Sequence, residues 1–202
     1  MAYYMCLEKN HVNDKNRRIP KAETGYQLCR KKDLVKWLND EIWIAKGKGK
    51  KIVCDDKVIF QQAKLVKKLD NWNEKIARLF ACDCAEHVLK SYEKYLPDRN
   101  IIRNFIDIAR KYAYGEVTEN ELLIACSKAD LSLHSQFASL YTVAISQILM
   151  SFSIARSSAY ETARLVALSV LLASQQINQI ETEERWQTKR LFKYLDGKVK
   201  IK

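Results

Sequence analysis

The sequence predicts an all-α fold, a multi-helix bundle preceded by an irregular basic N-terminal arm. Apolar residues after Asp70 recur at helical spacing over long stretches. The 202 residues include only five glycines and two prolines, the residues that break helices. Hydrophobic residues make up 48% of the chain, enough for a sizeable core and too many for a disordered chain. We expect an arm over residues 1–32, a helical domain over residues 33–197 and a basic tail over residues 198–202.

The N-terminal third is predicted to contain two short helices. Residues 1–27 have no helical period, and we expect a loop with one short strand at Thr24–Leu28. A helix follows, with an apolar face formed by Leu34, Trp37, Leu38 and Ile42. Lys46–Lys51 ends this helix, because alternating glycine and lysine neither hold a helix nor become buried. After a brief strand near Ile52, Val58–Leu69 is predicted as the second helix.

The clearest amphipathic pattern spans Trp72–Leu96. Its apolar face recurs every four residues and consists of Ile76, Phe80, Cys84, Val88 and Tyr92. Pro97 ends this helix and suits the first turn of the next one, which ends near Gly115. Thr118–Glu121 fits a capping box, in which the Thr hydroxyl and the Glu carboxylate each accept a backbone N–H bond.

Two later runs are rich in alanine, serine and leucine. They span Ser139–Ala155 and Ala163–Ala173, and a last, charged helix runs from about Glu181 to Gly197. A membrane-spanning helix needs about 20 predominantly apolar residues. Both runs are too polar or too short, so we expect central helices of a bundle and no membrane partner.

Positive charge is concentrated in the N-terminal third. Residues 1–70 contain 17 Lys and Arg against 9 Asp and Glu, a net +8, whereas the remainder carries 18 against 15, a net +3. Such clusters attract polyanions or acidic protein surfaces. The candidate partner-binding residues are Arg30, Lys31, Lys32, Lys46, Lys48, Lys50 and Lys51.

The six cysteines are predicted to be free thiols. The first 30 residues carry charged side chains from Glu8 onwards and lack the apolar core of a secretory signal. We therefore expect a reducing, cytoplasmic location. No Gly-x-Ser-x-Gly elbow, Walker loop or dinucleotide-binding turn is present, so the sequence predicts no enzyme.

Several motifs together resemble one family. Glu74–Leu89 reads EKIARLFACDCAEHVL, Leu96–Asp98 supplies a Pro-containing turn, and Ile108–Glu116 reads IARKYAYGE before the capped start at Thr118. Trp186-Gln187 is followed by Leu191, Tyr194 and Leu195. This pattern resembles the bacterial immunity-protein-five-like family, strongly over about 74–122 and weakly over about 160–196. His87 stands where that family has arginine.

The resemblance implies a protein that neutralises toxins of competing or neighbouring cells. It implies a non-enzymatic, immunity-like inhibitor that occludes a partner protein, either a toxin or, in a phage setting, a host-defence nuclease. With the basic N-terminal third, we expect a partner surface that is acidic, nucleic-acid-mimicking or phosphate-binding. No cofactor is expected, and nothing in the sequence indicates an oligomeric state.

The signature helix allows two interpretations of its polar residues. Cys82 and Cys84 lie about 200° apart around a helix, so with His87 they cannot close a metal site without ligands from elsewhere, such as His11 or His134. We expect no metal. A structural polar network between helices is the better interpretation, and its members are Arg78, Asp83, Glu86, Arg110, Trp186 and Gln187.

The alternative function is that of a nucleic-acid-binding accessory protein. The basic clusters of the N-terminal third are interleaved with aromatic residues, namely Tyr26, Trp37, Trp43 and Phe60. Lysines can follow a phosphate backbone while bases stack on aromatic rings. No helix-turn-helix or zinc-finger spacing supports this alternative.

Overall fold

Strands precede Asp70 and helices follow it. The computed structural model describes residues 2–9, 25–92, 99–134, 148–152 and 158–200. In this part of the chain four antiparallel strands form one sheet, and α-helices account for most of the remainder. The prediction of an all-α fold is therefore wrong, and the protein is mixed α/β.

The N-terminal sheet closes on itself in the order β1-β2-β4-β3, and every neighbouring pair is antiparallel. The strands are β1 (Tyr3–Leu7), β2 (Tyr26–Arg30), β3 (Glu41–Val53) and β4 (Val58–Lys68). Their inner faces bury a core of Met5, Leu7, Leu28, Ala45, Val58, Phe60 and Leu65. The predicted irregular arm is thus wrong at its described residues, where β1 and β2 pair with each other and with the hairpin of β3 and β4.

The two helices predicted in this region are also wrong. The spacing of Ile59, Ala63 and Val66 predicts a helix over Val58–Leu69, but the segment forms β4, which buries Val58, Phe60 and Leu65 instead. The helix expected from Asp33 is a 3₁₀ helix, Lys31–Trp37, after which β3 begins at Glu41. The stability of β3 and β4 comes from pairing with each other along the hairpin, which local periodicity does not reveal.

Glycine lets β3 continue through Lys46–Lys51, where a break was predicted. A Cβ placed on Gly47 would lie 2.3 Å from Cγ of Phe60, so only glycine allows the ring to cross the strand there. Gly49 has φ +84° and lies at a shift of register between Lys48 and Lys51. The glycines therefore shape the strand and do not end it.

In the described residues, five helices with defined bounds follow the sheet. They are α1 (Glu74–Tyr92), α2 (Arg99–Tyr114), α3 (Glu119–His134), α4 (Ala159–Gln176) and α5 (Ile180–Leu195), and residues 148–152 are also helical. The predicted capping box is confirmed: the Thr118 backbone N–H donates to Glu121 Oε2 at 2.7 Å, and the Glu121 N–H donates to Thr118 Oγ1 at 3.3 Å. Gly115, after α2, and Gly197, after α5, have φ of +75° and +67°, as terminators require.

Helix α1 is the centre of the helical core and packs against α2 and α4. Leu79–Ala85 is buried at seven consecutive positions, including Cys82 and Cys84. The small side chains in this segment allow close approach of neighbouring helices on more than one side. The two cysteines thus serve as buried packing residues.

The chain divides into two compact units, one formed by Met1–Asn73 with Thr188–Lys202 and the other by Glu74–Gln187. None of the helices in the described part of the chain combines the length and apolar character needed to cross a membrane. The predicted turn at Leu96–Asp98, most of the predicted helix at Ser139–Ala155, and residues 201–202 of the predicted tail lie outside the described residues.

Candidate functional site

Strands β3 and β4 carry a surface of lysine side chains, which we call the lysine hairpin. It consists of Lys46, Lys48, Lys50 and Lys51 on β3 with Lys64 and Lys67 on β4. All six side chains are exposed, and none forms an ion pair with a carboxylate in the described residues. Lys68, which follows Lys67 on β4, is instead paired with Glu41. Among the described residues, no carboxylate therefore neutralises the positive charge of the lysine hairpin.

The register of the hairpin brings like charges together. Lys46 lies directly opposite Lys64. Like charges at directly opposite positions of a strand pair destabilise it, and lysines on an exposed strand also discourage pairing with another sheet. An acidic surface placed over this pair would remove the repulsion and add favourable charge contacts.

Exposed apolar side chains lie among the lysines of the hairpin. Ile52 and Val53 follow Lys51 directly and are 57% and 61% exposed. Val66 is exposed on β4 between Lys64 and Lys67. Protein interfaces commonly combine an apolar centre with a polar rim. The hairpin thus offers both apolar area and charge to a partner.

The second predicted basic cluster, at residues 30–32, is not part of the lysine hairpin, although Arg30 contacts the turn between β3 and β4. Arg30 is used inside the fold: its guanidinium contacts Asp33 and donates hydrogen bonds to the backbone oxygens of Cys54, at 3.2 Å, and Asp55. Lys31 places its ammonium 4.2 Å from the centroid of the Phe192 ring. Lys32 is exposed, and its backbone oxygen accepts a bond from the Thr188 hydroxyl. Of these three residues, only the lysines offer charge at the surface.

The sequence does not reveal Lys64 and Lys67 as part of this surface, because the spacing of Val58–Leu69 predicts a helix. On a helix these two residues would not face the lysines of Lys46–Lys51 in any defined way. Cross-strand register places Lys64 opposite Lys46 and Lys67 opposite Ile44. The long run of β-branched and alternating residues in Glu41–Lys68 was the signal that could have identified the hairpin.

Three of the four aromatic residues proposed for base stacking lie on or beside this sheet and contact other side chains. Phe60 is 5% exposed and meets the Tyr3 ring edge-on at 5.0 Å. The Trp43 indole N–H donates to Glu41 Oε2 at 2.9 Å. The face of Trp37 lies under the Lys57 ammonium, 5.1 Å from the ring centroid. These rings do not form an open platform on which bases could stack.

The helical unit contains the predicted polar residues in two groups. In the first group Arg110 on α2 donates to Asp83 Oδ1 on α1 at 2.7 Å and contacts Glu86 through its other terminal nitrogen. Burial alone would lower the pKa of Arg110, but the hydrogen bond and charge of Asp83 outweigh it and raise the pKa overall. Arg78 lies with its guanidinium 4.8 Å from the Tyr112 ring centroid. These contacts tie α1 to α2.

The second group joins α1 to α5. The His87 ring stacks on the Trp186 indole at 3.8 Å with an interplanar angle of 9°, and its Nδ1 lies 2.7 Å from Glu183 Oε2. Gln187 is fully buried and donates from Nε2 to the Ala167 backbone oxygen at 3.2 Å. His87 and Glu183 were not included in the predicted network. The stacked pair and the carboxylate hold the two helices together.

The thiols of the helical unit have the properties of packing groups. Burial raises the pKa of Cys82 to about 12 and that of Cys126 to about 11. Both therefore stay protonated at neutral pH, the form that neither attacks electrophiles nor binds metal well. In the part of the chain that the structure describes, no group of three or more His, Cys, Asp and Glu side chains could hold a metal ion.

Comparison with known protein families finds one match. Residues 67–193 match the family model described as "Imm-5 like putative immunity protein". This span includes all five helices except the last two residues of α5, whereas most of the N-terminal sheet lies before it. Comparison with curated proteins and with solved structures yields no match.

Proposed function

We propose that this chain, which belongs to the Imm-5 like putative immunity protein family, is an inhibitor that binds a partner protein and occludes an acidic surface on it. The observation that carries the proposal is the lysine hairpin, whose six exposed ammonium groups have no carboxylate partner among the described residues. The inhibitor acts by binding, not by catalysis, in the cytoplasm. No disulfide bond joins the six cysteines, which supports that location.

The positive charge of the lysine hairpin limits which surfaces of a partner can bind to it. A phosphate-binding surface is itself positive and would be repelled, whereas an acidic or nucleic-acid-mimicking surface would be attracted. A stable complex of this kind buries about 1,200–2,000 Å² in total, and opposite charges mainly speed the encounter. The same physics applies to a toxin and to a host-defence nuclease.

The nucleic-acid alternative receives less support. Phosphates would also be attracted to the lysine hairpin, but sequence-tolerant binding of single strands relies on aromatic rings on which bases stack. Phe60 is buried, and Trp37 and Trp43 are engaged with Lys57 and Glu41. A protein partner is therefore the function that we favour.

Affinity capture with matched charge variants tests the proposal. The full-length chain is used to capture proteins from the native host, and each captured protein is assayed for loss of its own activity when the chain is added. The hairpin variant carries the substitutions K46E, K48E, K50E and K51E. The control variant has the same change of net charge at exposed helix positions and carries K90E, K111E, K128E and K189E.

We expect the wild-type chain and the control variant to capture and inhibit the same protein, and the hairpin variant to lose both. Equal inhibition by the hairpin variant would contradict the assignment of binding to the lysine hairpin. Titration of a fluorescent oligothymidylate tests the alternative. Tight binding of this probe by the wild type and its loss in the hairpin variant would favour nucleic acid over a protein partner.

A further inference from the structure

The N-terminal sheet contains a cavity that the lysine hairpin does not use. It has a volume of about 270 Å³ and lies between β1 and β2, beside the end of the 3₁₀ helix. These strands pair at only two positions, Tyr3 with Arg30 and Tyr4 with Cys29, and the cavity lies beyond the end of this short ladder. Ligand sites commonly occupy the open end of a closed sheet.

Part of the lining of the cavity is apolar. Met5, Leu7 and Leu28, which belong to the sheet core, line it together with the Trp37 side chain. Apolar walls of this kind favour a ligand with a hydrocarbon or aromatic body. The cavity volume is just below the usual range of about 300–1,000 Å³ for ligand sites. A ligand with one ring or with two fused rings therefore has the appropriate size.

Lys57 supplies a charge for which the described part of the chain provides no counter-ion. Its ammonium lies 3.4 Å from Gln27 Oε1 and 5.1 Å from the centroid of the Trp37 ring, and it forms no ion pair with a carboxylate in the described residues. The first distance is at the long limit for a hydrogen bond. By contrast, the partly buried Arg30 and Arg110 are each paired with an aspartate.

The Lys57 ammonium is half-buried and contacts a neutral amide and an aromatic ring. An ammonium in this position favours the binding of an anion beside it. Cys6, which also lines the cavity, does not provide that anion: a hydrogen bond with Cys29 and burial raise its pKa well above the ordinary value, so the thiol stays neutral. Glu8 at the same cavity opposes negative charge on a ligand, and it opposes a doubly charged phosphate more than a singly charged carboxylate. A single carboxylate fits these groups best.

We propose that this cavity binds a small aromatic carboxylate, with its ring against Leu28 and the Trp37 indole and its carboxylate on the Lys57 ammonium. This assignment does not depend on the identity of the protein partner. The cavity residues are distinct from the six lysines of the lysine hairpin. A ligand here would therefore form a second, separate binding site on the chain.

Calorimetric titration of the full-length chain with 2-naphthoate tests the proposal, and 2-naphthamide serves as the uncharged probe of the same shape. We expect saturable one-to-one binding of 2-naphthoate and about tenfold weaker binding of the amide, because its neutral oxygen accepts a weaker hydrogen bond from the ammonium than a carboxylate does. Lys57→Met keeps the apolar stem of the side chain and removes its charge. It should weaken 2-naphthoate binding about tenfold and abolish the preference for the carboxylate.

Lys64→Met is the matched control, because Lys64 on β4 is exposed and lies outside the cavity. This variant should bind both probes as the wild type does. The proposal is overturned if the wild type shows no saturable binding, if Lys57→Met keeps the preference for the carboxylate, or if Lys64→Met weakens binding equally. Circular dichroism of Lys57→Met confirms that any loss arises in a folded chain.

Discussion

Replacing Asp83 by asparagine removes the negative charge on α1 that pairs with Arg110 on α2. The Asp83 side chain is 7% exposed and that of Arg110 is 27% exposed. Removal of one partner from a fully buried ion pair costs about 3–5 kcal/mol. Arg110 still reaches solvent and keeps its contact with Glu86, and the asparagine oxygen still accepts a hydrogen bond. We therefore expect D83N to lower the free energy of unfolding of the helical unit by about 2 kcal/mol, below the fully buried value.

The assay is urea unfolding at pH 7, followed by far-ultraviolet circular dichroism. The matched control is E86Q, which removes the other carboxylate on Arg110 at a position that is 51% exposed. Exposed ion pairs contribute about 0–1 kcal/mol, so this variant should lose less than 1 kcal/mol. The double variant D83N/R110M should regain part of the stability of D83N, because no uncompensated charge remains. Equal losses for D83N and E86Q would refute the reasoning.

Three further predictions concern one carboxylate, one glycine and two thiols. Burial raises the pKa of Glu183; the folded chain thus binds this proton more tightly than the unfolded chain, and ionisation lowers stability above that pKa. As the pH falls from 7 to 5, the free energy of unfolding of the wild type should rise relative to that of E183Q. G47A should lower stability by about 1–3 kcal/mol in urea unfolding, because its Cβ would meet the Phe60 ring. Because their pKa values are about 12 and about 11, Cys82 and Cys126 should resist Ellman's reagent at pH 8 until urea unfolds the chain.

Each of these predictions has its own control. A pH profile of E183Q that runs parallel to that of the wild type would contradict the raised pKa of Glu183. F60L combined with G47A should restore part of the lost stability, and no recovery would show that the Phe60 ring is not the obstacle. Rapid reaction of Cys82 in the folded chain would mean that it is accessible and ionised, contrary to its burial.

The helical half of the fold could be predicted from local patterns. The capping box at Thr118, the terminators Gly115 and Gly197, and the burial of α1 follow from residues within a few positions of one another. Hydrogen bonds of a helix are local, so the periodicity of a short segment contains most of the required information. The family assignment drew on the same segments and agrees with the match over residues 67–193.

The sheet could not be predicted in the same way. Ile59, Ala63 and Val66 have spacing that fits a helix, and only the partners supplied by β3 make Val58–Lys68 a strand. Strand pairing joins residues that are distant in sequence, such as Tyr4 and Cys29. Gly47 belongs to a segment that predicts the end of a helix. Its position inside a strand is explained only by the ring of Phe60, which crosses it.

The candidate sites likewise combine features that the sequence determines with features that only the tertiary structure determines. The excess of lysine in the N-terminal third and the presence of Asp83 and Arg110 on successive helices are properties of the sequence by itself. Only the tertiary structure decided that Arg30 is used inside the fold, that Lys64 joins Lys46 on one surface, and that Lys57 lacks a carboxylate partner among the described residues. The physical reason is that neutralisation of a charge depends on distances between side chains, and in a sheet those distances are determined by pairing between strands far apart in the chain.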